Sequence, residues 1–325
     1  MTEPALITDT LDIEPLAKGE CHRFWVTLTE DAAGRPIRIP VMVARGHEDG
    51  PIIGVTAAIH GNELNGIPTI HRLFRDLEPA VLRGTLVAVP LVNLPGYLEQ
   101  RRVFTDGYDL NRVMPGREDS SPSRIYAHRF MTRIVRSLQY LVDLHTASFG
   151  RVNSLYVRAD MRHETTAAMA RLISPQIIVH NEGTDGTLRS AAEDLGIHAI
   201  TVEVGDPQRF QRGLIRSSRL GIQALLAHLG MLPEIPGDSQ QGGDTVECSH
   251  SYWISSDCGG ILQVFAEVAA RVERGQRLAT LTNLFGDVIR EFLAPEDAIV
   301  VGATSNPVAQ TGARIVHLGI EGNIR

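Results

Sequence analysis

The sequence predicts an α/β protein whose sheet is flanked by helices, followed by a smaller C-terminal all-β region. Short apolar runs alternate with longer helical patterns from about residue 35 to residue 230, which is typical of a sheet covered on both faces. The segment Pro233–Thr245 is rich in Pro, Gly, Ser and Gln, a composition typical of a linker. Residues 251–318 then contain short strands separated by glycine and show no convincing helical pattern, which indicates a small all-β domain.

The elements follow in chain order from these patterns. An irregular lead over residues 1–35 contains one strand near Phe24–Leu28. The further predicted strands are Ile39–Ala44, Ile52–Ala58, Thr85–Leu91, Tyr140–Leu144, Ser154–Arg158, Gln176–Val179 and Ala199–Val204. The predicted helices are Leu64–Asp76, Ser123–Ser137, Glu164–Ile173, Leu188–Leu195 and Gly213–Leu229. We therefore predict two domains, one over residues 1–232 and one over residues 245–325.

Composition and charge exclude several classes of protein. The 325 residues are 43% hydrophobic and 21% charged, which is ordinary for a soluble globular chain. The net charge of −7 argues against nucleic acid or an anionic membrane as the main partner, since both require clustered positive charge. The only lysine is Lys18, which excludes a P-loop, a pyridoxal-phosphate enzyme and a lysine-bearing carrier domain.

Cysteine use and the N-terminus indicate a cytoplasmic protein. Three cysteines without a CxxC pair make a disulfide framework or a thiolate zinc site improbable. The first 20 residues are acidic and lack the apolar core of a secretory signal. No run approaches the ~20 apolar residues that a membrane-spanning helix needs.

Three side chains have the types and positions of a catalytic metal site. His60 and Glu63 stand in the string AIHGNELNG, directly after a buried strand, and His145 comes at the end of the apolar run of the predicted strand Tyr140–Leu144. Open α/β sheets place their ligands beyond the carboxyl ends of strands. Two histidines, one carboxylate and an open position form the ligand set of a catalytic zinc site. Taken singly, a histidine after a strand is more often an ordinary surface or core residue than a metal ligand.

Further polar residues accompany this set. Asp143 lies two residues before His145 on the same face of the strand, and we expect it to fix the tautomer of a metal-bound histidine, with His60 as the favoured partner. Asn111 beside Arg112 offers a planar set of donors suited to a carboxylate, although a loop salt bridge is an alternative. Glu203 interrupts an apolar strand, so it is a candidate general base.

These motifs, in this order, resemble the succinylglutamate desuccinylase/aspartoacylase family, a branch of the zinc carboxypeptidase fold. The resemblance rests on HGNE (His60 to Glu63), DLNR (Asp109 to Arg112), DLHT (Asp143 to Thr146) and EVG (Glu203 to Gly205), and it covers about residues 35–320. The sequence looks closer to the bacterial predicted deacylases of the family, which include the N-acetyl-diaminobutyrate deacetylases. The C-terminal region resembles a barrel-sandwich hybrid without the carrier lysine.

The resemblance implies a role for each matched residue. His60, Glu63 and His145 would bind one zinc ion per chain, and Glu203 would be the catalytic glutamate. Asn111 and Arg112 would hold the substrate carboxylate. Arg102 resembles the arginine that stabilises the oxyanion, with the adjacent Arg101 as the competing candidate.

The expected activity is hydrolysis of a small N-acyl amino acid by a zinc-dependent deacylase. A carboxypeptidase acting on small peptides keeps the same zinc chemistry and is the first alternative. A non-catalytic metal-binding protein on the same fold is the second. A homo-oligomer is an expectation from the family alone.

Overall fold

The computed structural model describes residues 4–183, 186–233 and 244–324. The strands up to residue 204 are β1 Leu6–Thr8, β2 Glu20–Glu30, β3 Pro36–Arg45, β4 Glu48–Ala57, β5 Arg83–Val89, β6 Tyr140–His145, β7 Arg151–Asn153, β8 Leu155–Ala159, β9 Ile177–His180 and β10 His198–Val204. The later strands are β11 Val246–Ser255, β12 Gly260–Val264, β13 Arg271–Val272, β14 Arg277–Thr282, β15 Val288–Leu293, β16 Ala298–Thr304, β17 Val308–Ala309 and β18 Arg314–Glu321.

The described residues contain six α-helices, which connect the strands of the first part. They are α1 Gly66–Asp76, α2 Leu94–Leu98, α3 Pro122–Arg133, α4 Glu164–Leu172, α5 Leu188–Glu193 and α6 Arg212–His228. Short 3₁₀ turns occupy Pro79–Val81, Leu110–Arg112 and Val135–Ser137. The single helix predicted over Ser123–Ser137 therefore ends early, because Ile134 leaves helical backbone angles and a 3₁₀ turn follows.

The predicted α/β class is confirmed by a fourteen-stranded mixed sheet. Its order is β1-β2-β3-β5-β4-β6-β10-β8-β9-β11-β18-β16-β13, and β7 pairs with β16. The central strands β5, β4, β6 and β10 run parallel. β5, β6 and β10 are mostly apolar and buried along almost their whole length, and β4 is buried from Ile53 onward, as expected of parallel strands covered on both faces.

Helices cover both faces of this sheet. Buried side chains of α3 and α5 pack on one face with those of β2 and β3. Buried side chains of α1, α4 and α6 pack on the other face with those of β4, β8 and β10. The central strands are thereby held rigidly, so that residues at their carboxyl ends have fixed positions.

The C-terminal region is all-β among the described residues, as predicted. Strands β12, β14, β15 and β17 form a separate four-stranded antiparallel sheet. Strands β11, β13, β16 and β18 instead extend the large sheet, because β11 pairs in parallel with β9 through Val246 and Ile177. Most of the predicted linker, residues 234–243, lies outside the described residues. The division into two domains stays a prediction, and the sheet crosses its proposed boundary.

A separate small core joins the two regions. Tyr156, Ile177 and Val179 of the first region pack with Cys248, Ile299 and Val301 of the C-terminal region, and all six are buried. The C-terminal strands are thus attached by both hydrogen bonds and apolar contact. No described helix is long and apolar enough to cross a membrane.

Candidate metal centre and active-site cavity

The sheet order brings the candidate residues together. Strands β4, β6 and β10 are neighbours, and their carboxyl ends lie at the same edge. His60 and Glu63 follow β4, His145 ends β6, and Glu203 of β10 is directly opposite His145 in register. Residues as far apart in the chain as His60 and Glu203, which are 203 − 60 = 143 positions apart, therefore meet at one place.

His60, Glu63 and His145 form a compact group of potential ligands. One ligand atom from each lies within 4.8 Å of the others. The Nδ1 atom of His145 is 3.1 Å from Glu63 Oε2. The Nδ1 atom of His60 is 2.9 Å from Glu63 Oε1, yet this buried nitrogen makes no hydrogen bond of acceptable geometry to any described residue. Both imidazoles thus present Nδ1 toward the same carboxylate.

The other nitrogen of each imidazole faces a different carboxylate. The Nε2 atom of His145 is 2.6 Å from Asp143 Oδ2, and the Nε2 atom of His60 is 3.0 Å from Asp109 Oδ1. The expectation that Asp143 pairs with His60 was therefore wrong. Asp143 lies opposite Thr56 in the β4–β6 register, and its Oδ1 atom accepts a hydrogen bond from Thr56 Oγ1 at 2.6 Å. Asp109, the first residue of DLNR, is the partner of His60, and only the folded loop could reveal it.

Burial and charge determine how these groups ionise. His60, Glu63 and His145 are only 2%, 2% and 4% exposed. Burial would raise the pKa of Glu63, but the adjacent His60 and His145 hold it well below the usual range. Burial would lower the pKa of His145, but Asp143 and Glu63 raise it well above the ordinary value. The centre is therefore an anionic carboxylate held between imidazoles.

Glu203 occupies the same cavity without belonging to the three-residue group. Its Oε2 atom accepts a hydrogen bond from Asn153 at 3.3 Å. Burial raises the pKa of this carboxyl, and the nearby negative charge of Glu63 raises it further. A carboxylate with a raised pKa that opens onto a cavity is suited to taking up and returning a proton.

The structure separates the two adjacent arginines. Arg101 pairs with Glu99 at 3.2 Å on the surface and is more than half exposed. Arg102 lines the cavity. Its Nε and Nη2 atoms bond Asp109 Oδ2 at 3.1 and 3.0 Å, and its Nη1 atom bonds Glu63 Oε1 at 2.8 Å and Ser148 Oγ at 2.6 Å. Arg102 is the one of the two that can reach the candidate centre.

Asn111 and Arg112 also line the cavity. The side chain of Asn111 accepts a hydrogen bond from the backbone N–H of Leu188 at 2.7 Å, which fixes its amide plane. Arg112 donates to the backbone carbonyl of Asn111 at 2.8 Å and pairs with no carboxylate in the described part of the chain. The structure therefore contradicts the alternative that Arg112 forms a loop salt bridge.

The sequence reasoning missed the far wall of the cavity. The cavity has a volume of about 370 Å³, within the range of small-molecule sites. The basic and aromatic lining residues that were not anticipated are Arg151, Tyr156, Arg158, Arg189, Trp253, Arg314 and His317. Three of them belong to the C-terminal strands β11 and β18. No local motif marks them, although an excess of arginine over lysine is visible in the sequence.

The motifs contain residues that build the loops and do not themselves act on a substrate. A Cβ atom at Gly61 would lie 2.1 Å from the backbone carbon of Gly96, so only glycine permits this close approach of the loop to α2. Gly205 has a φ of +70°, which favours glycine. Asn65, fully buried, bonds both the carbonyl of Val204 and the side chain of Gln211.

A comparison with protein-family models gives one match. Residues 49–229 match the model described as the succinylglutamate desuccinylase/aspartoacylase catalytic domain. All the candidate residues from His60 to Glu203 lie inside this range, whereas Trp253, Arg314 and His317 lie beyond it.

Curated relatives match most of the chain. The N-alpha-acetyl-L-2,4-diaminobutyric acid deacetylase of Halomonas elongata is 26% identical over 305 residues, which cover 90% of this chain and 86% of the relative. The succinylglutamate desuccinylase of Pseudomonas paraeruginosa is 26% identical over 272 residues, which cover 69% of this chain and 80% of the relative. These two relatives bear names that describe different substrates.

Solved structures share the whole fold. The product-bound structure of the ectoine utilization protein EutE (DoeB) from Ruegeria pomeroyi has a TM-score of 0.84 at 21% identity, covering 94% of this chain and 97% of that one. A succinylglutamate desuccinylase/aspartoacylase from Rhodobacter sphaeroides also has a TM-score of 0.84, at 23% identity, covering 96% and 98%. The likeness includes the C-terminal strands, since the coverage is nearly complete.

Proposed function

The chain belongs to the succinylglutamate desuccinylase/aspartoacylase family, and from this premise we propose that it is a zinc-dependent deacylase of small N-acyl amino acids. The observation that carries the proposal is the pair of imidazoles whose Nδ1 atoms face Glu63 while their Nε2 atoms face Asp109 and Asp143. Relatives named as a diaminobutyrate deacetylase and a succinylglutamate desuccinylase support the same reaction class.

The residues fit a zinc ion, and we propose His60, Glu63 and His145 as its ligands. The buried Nδ1 atom of His60 has no hydrogen-bond partner among the described residues, as expected for a nitrogen reserved for a metal. Each imidazole has a carboxylate on its other nitrogen, which is the usual support of a metal-bound histidine. When bound, zinc supplies Lewis acidity that lowers the pKa of water and polarises an acyl carbonyl.

Glu203 would transfer the protons of the reaction. It would accept one from the attacking water and deliver it to the nitrogen of the leaving amine. Its raised pKa brings it nearer to neutral pH, where a general acid–base group is most effective. Asn153 would hold the carboxylate toward the cavity through their hydrogen bond.

Three further side chains would orient the substrate and stabilise charge. Arg102 is anchored to Asp109 by Nε and Nη2, and its Nη1 group, which bonds Glu63 and Ser148, would exchange one of these two bonds for a bond to the oxyanion. One such donor contributes about 3 kcal/mol to lowering the barrier. Arg112 and Asn111 would hold the α-carboxylate of the amino acid, because charge-assisted contacts of arginine fit a planar carboxylate.

The experiment that tests this function combines metal content with a substrate panel. We expect about one zinc per chain by elemental analysis, and loss of it in His60→Ala and His145→Ala, since two protein ligands rarely retain zinc. His47→Ala, an exposed histidine, is the matched control and should keep its metal.

The zinc-loaded protein should hydrolyse N-acyl amino acids faster than dipeptides. Preferential cleavage of dipeptides would mean a carboxypeptidase instead. Bound zinc without hydrolysis of either class would mean a metal-binding protein that is not an enzyme.

A further inference from the structure

The large sheet extends beyond its helices at the end where β1, β2 and β3 lie. Helices α1, α4 and α6 pack on β4, β8 and β10, and the first three strands stand further out in the strand order. Trp25 of β2 is opposite both Ile7 of β1 and Pro40 of β3, so these three side chains form one row on one face. Ile7 and Trp25 are 62% and 40% exposed, which means that this apolar row is incompletely covered.

An apolar groove of about 640 Å³ lies along this row, and we call it the edge groove. Its lining includes Phe74 of α1 and Tyr97 of α2, and it contains no carboxylate among the described residues. Two arginines line it as well. Arg75 pairs with Asp76 at 2.9 Å, whereas Arg23 forms no salt bridge with any described residue. The edge groove is therefore an apolar surface with one uncompensated positive charge.

The turn between β14 and β15, residues Asn283–Asp287, exposes a second apolar surface. Leu284 and Phe285 are 86% and 94% exposed, so they fill no pocket of their own chain. The turn is nevertheless ordered, because Asn283 Oδ1 accepts hydrogen bonds from the backbone N–H groups of Phe285 at 2.9 Å and of Asp287 at 3.0 Å. Asp287 is the only charged residue of the turn and forms no salt bridge with any described residue.

An apolar row continues from this turn onto the small sheet. Val308, Ile261, Thr282 and Val288 are opposite one another in succession across β17, β12, β14 and β15, so they share one face. Val308 and Val288 are 72% and 60% exposed. Contiguous exposed apolar surface of this kind marks an interaction site, and residues held in an ordered turn have little freedom left to lose on binding.

We infer that the turn Asn283–Asp287 of one chain inserts Leu284 and Phe285 into the edge groove of a second copy, with Asp287 facing Arg23. The inserted side chains meet an apolar lining of matching character, and the two charges without partners compensate each other. Pairing of two edge grooves with each other is disfavoured, because it brings together two Arg23 side chains without a carboxylate. The inference goes beyond the proposed function and does not depend on it.

The two surfaces lie on the same chain, so the contact can be made twice between two copies. One inserted turn is small beside a stable interface, which buries roughly 1,200–2,000 Å². A two-fold pair in which each copy inserts its turn into the other doubles the buried area and leaves neither surface open. A contact made only once per pair would continue from copy to copy into a ring or a filament. We therefore expect a closed dimer.

The first measurement is sedimentation velocity of the full chain from roughly 1 to 100 µM. We expect a reversible dimer, and Arg23→Glu and Asp287→Arg should each weaken it at least about 10-fold, since like charges then face each other. An equimolar mixture of these two variants should dimerise again. In the mixed pair one contact keeps both original charges and the other has both charges reversed.

A matched control uses Arg136→Glu and Asp194→Arg, which replace exposed charges outside both surfaces. These variants should dimerise like the unaltered protein, alone and in mixture. If the mixture of Arg23→Glu with Asp287→Arg stayed monomeric although an unaltered dimer exists, the inferred pairing would be wrong.

The second measurement follows Trp25 itself. In Trp253→Phe the emission comes from Trp25, and it should move to shorter wavelength as the concentration rises and the edge groove is covered. Adding Phe285→Ser should abolish both this shift and the dimer, while circular dichroism stays unchanged because Phe285 is outside the core. A monomer at every concentration, or a dimer that Phe285→Ser leaves intact, would overturn the inference. Binding of a monomer to phosphatidylcholine vesicles, lost in Phe285→Ser, would assign the turn to a membrane surface instead and overturn it too.

Discussion

Glu203 illustrates how a single residue acquires its properties from strand register. It stands in the buried run of β10, opposite His145 of β6 and opposite Tyr156 of β8. An unpaired carboxylate in such a strand costs stability, and no arginine forms a salt bridge with it among the described residues. Its raised pKa is therefore first of all the result of burial in this strand, and the negative charge of Glu63 adds to it.

Glu203→Gln should lower kcat by at least ~10²-fold while changing KM little, because glutamine keeps the volume but cannot accept the proton. Zinc content and thermal stability should stay near those of the unaltered protein. A general base must be ionised, so activity should be lost as the pH falls through the pKa of Glu203. Because burial raises that pKa, the loss should occur at a pH above the usual range of glutamate. That acidic limb of kcat/KM should vanish in the variant.

Steady-state kinetics across pH checks this prediction. Glu247→Gln is the control, because Glu247 pairs with Arg171 on the surface. A Glu203→Gln enzyme with nearly unaltered kcat would remove Glu203 from the mechanism. The carboxylate would then have a structural role, and the variant should differ in stability instead.

His317 allows a prediction about stability at the residue scale. Burial, together with the facing charges of Arg158, Arg314 and Arg151, lowers the pKa of His317 to about 3. The unfolded chain binds a proton on this histidine near the ordinary value of 6.5, so the folded state loses stability as the pH falls below that value. The loss is at most about 1.4 kcal/mol per pH unit.

His317→Gln should remove this dependence, because glutamine can still bond Ser251 but does not titrate. Urea unfolding at pH 6.5, 6.0, 5.5 and 5.0 measures it in a window where most carboxylates stay ionised. As the pH is lowered, the free energy of unfolding should fall more steeply in the unaltered protein than in the variant. Parallel curves for the two proteins would show that His317 is not held neutral in the fold.

At the scale of elements, Asn65 joins two loops that carry the candidate centre. Its side chain donates to Val204 O at 2.7 Å and to Gln211 Oε1 at 3.0 Å, and it accepts from Gln211 N at 3.0 Å. The loop after β4 bears His60 and Glu63, and the loop after β10 follows Glu203. These three bonds therefore set the distance between the ligands and the proposed base.

Asn65→Ala should lower the free energy of unfolding by about 2–4 kcal/mol, since three buried hydrogen bonds each contribute about 0.5–1.5 kcal/mol. It should also lower kcat, because the two loops are no longer tied. Chemical denaturation with activity on the same sample measures both effects. Gln310→Ala, an exposed side chain, should shift stability by less than about 0.5 kcal/mol, and an equally small shift for Asn65→Ala would contradict the proposed role.

Much of the fold was predictable because its central elements follow simple patterns. Buried parallel strands such as β4 and β10 are continuous apolar runs, and helices such as α6 have a clear apolar periodicity. Strands β1 and β7 were missed because three residues give no pattern. His60, Glu63 and His145 were visible in motifs, whereas Arg314 and Trp253 depend on long-range pairing of β11 with β18, which no local sequence signal reports.

At the scale of the whole molecule, the large sheet and a shared core connect the N-terminal and C-terminal regions. β11 extends the sheet from β9, and the packed group around Tyr156 and Ile299 contains residues of both regions. The far wall of the cavity depends on this connection. We therefore expect the two regions to unfold together, even though composition suggests a linker between them.

The two tryptophans report on the regions separately, because Trp25 lies in β2 and Trp253 in β11. In Trp253→Phe the fluorescence comes from Trp25, and in Trp25→Phe it comes from Trp253. In each variant the urea midpoint from fluorescence should coincide with that from circular dichroism, as cooperative unfolding requires. A fluorescence midpoint in Trp25→Phe well below its circular-dichroism midpoint would mean that the C-terminal region unfolds independently.

The parallel pairing of β9 with β11 also has a consequence for synthesis on the ribosome. β9 ends at His180, and the residues of β11 that pair with it end at Cys248, so 248 − 180 = 68 residues must be translated before this side of β9 is covered. At a rate of roughly 5–20 residues per second, that interval is about 3–14 s. During this interval the open edge of β9 exposes its backbone donors and acceptors. A chaperone would have to cover this edge to prevent pairing with nascent chains on neighbouring ribosomes.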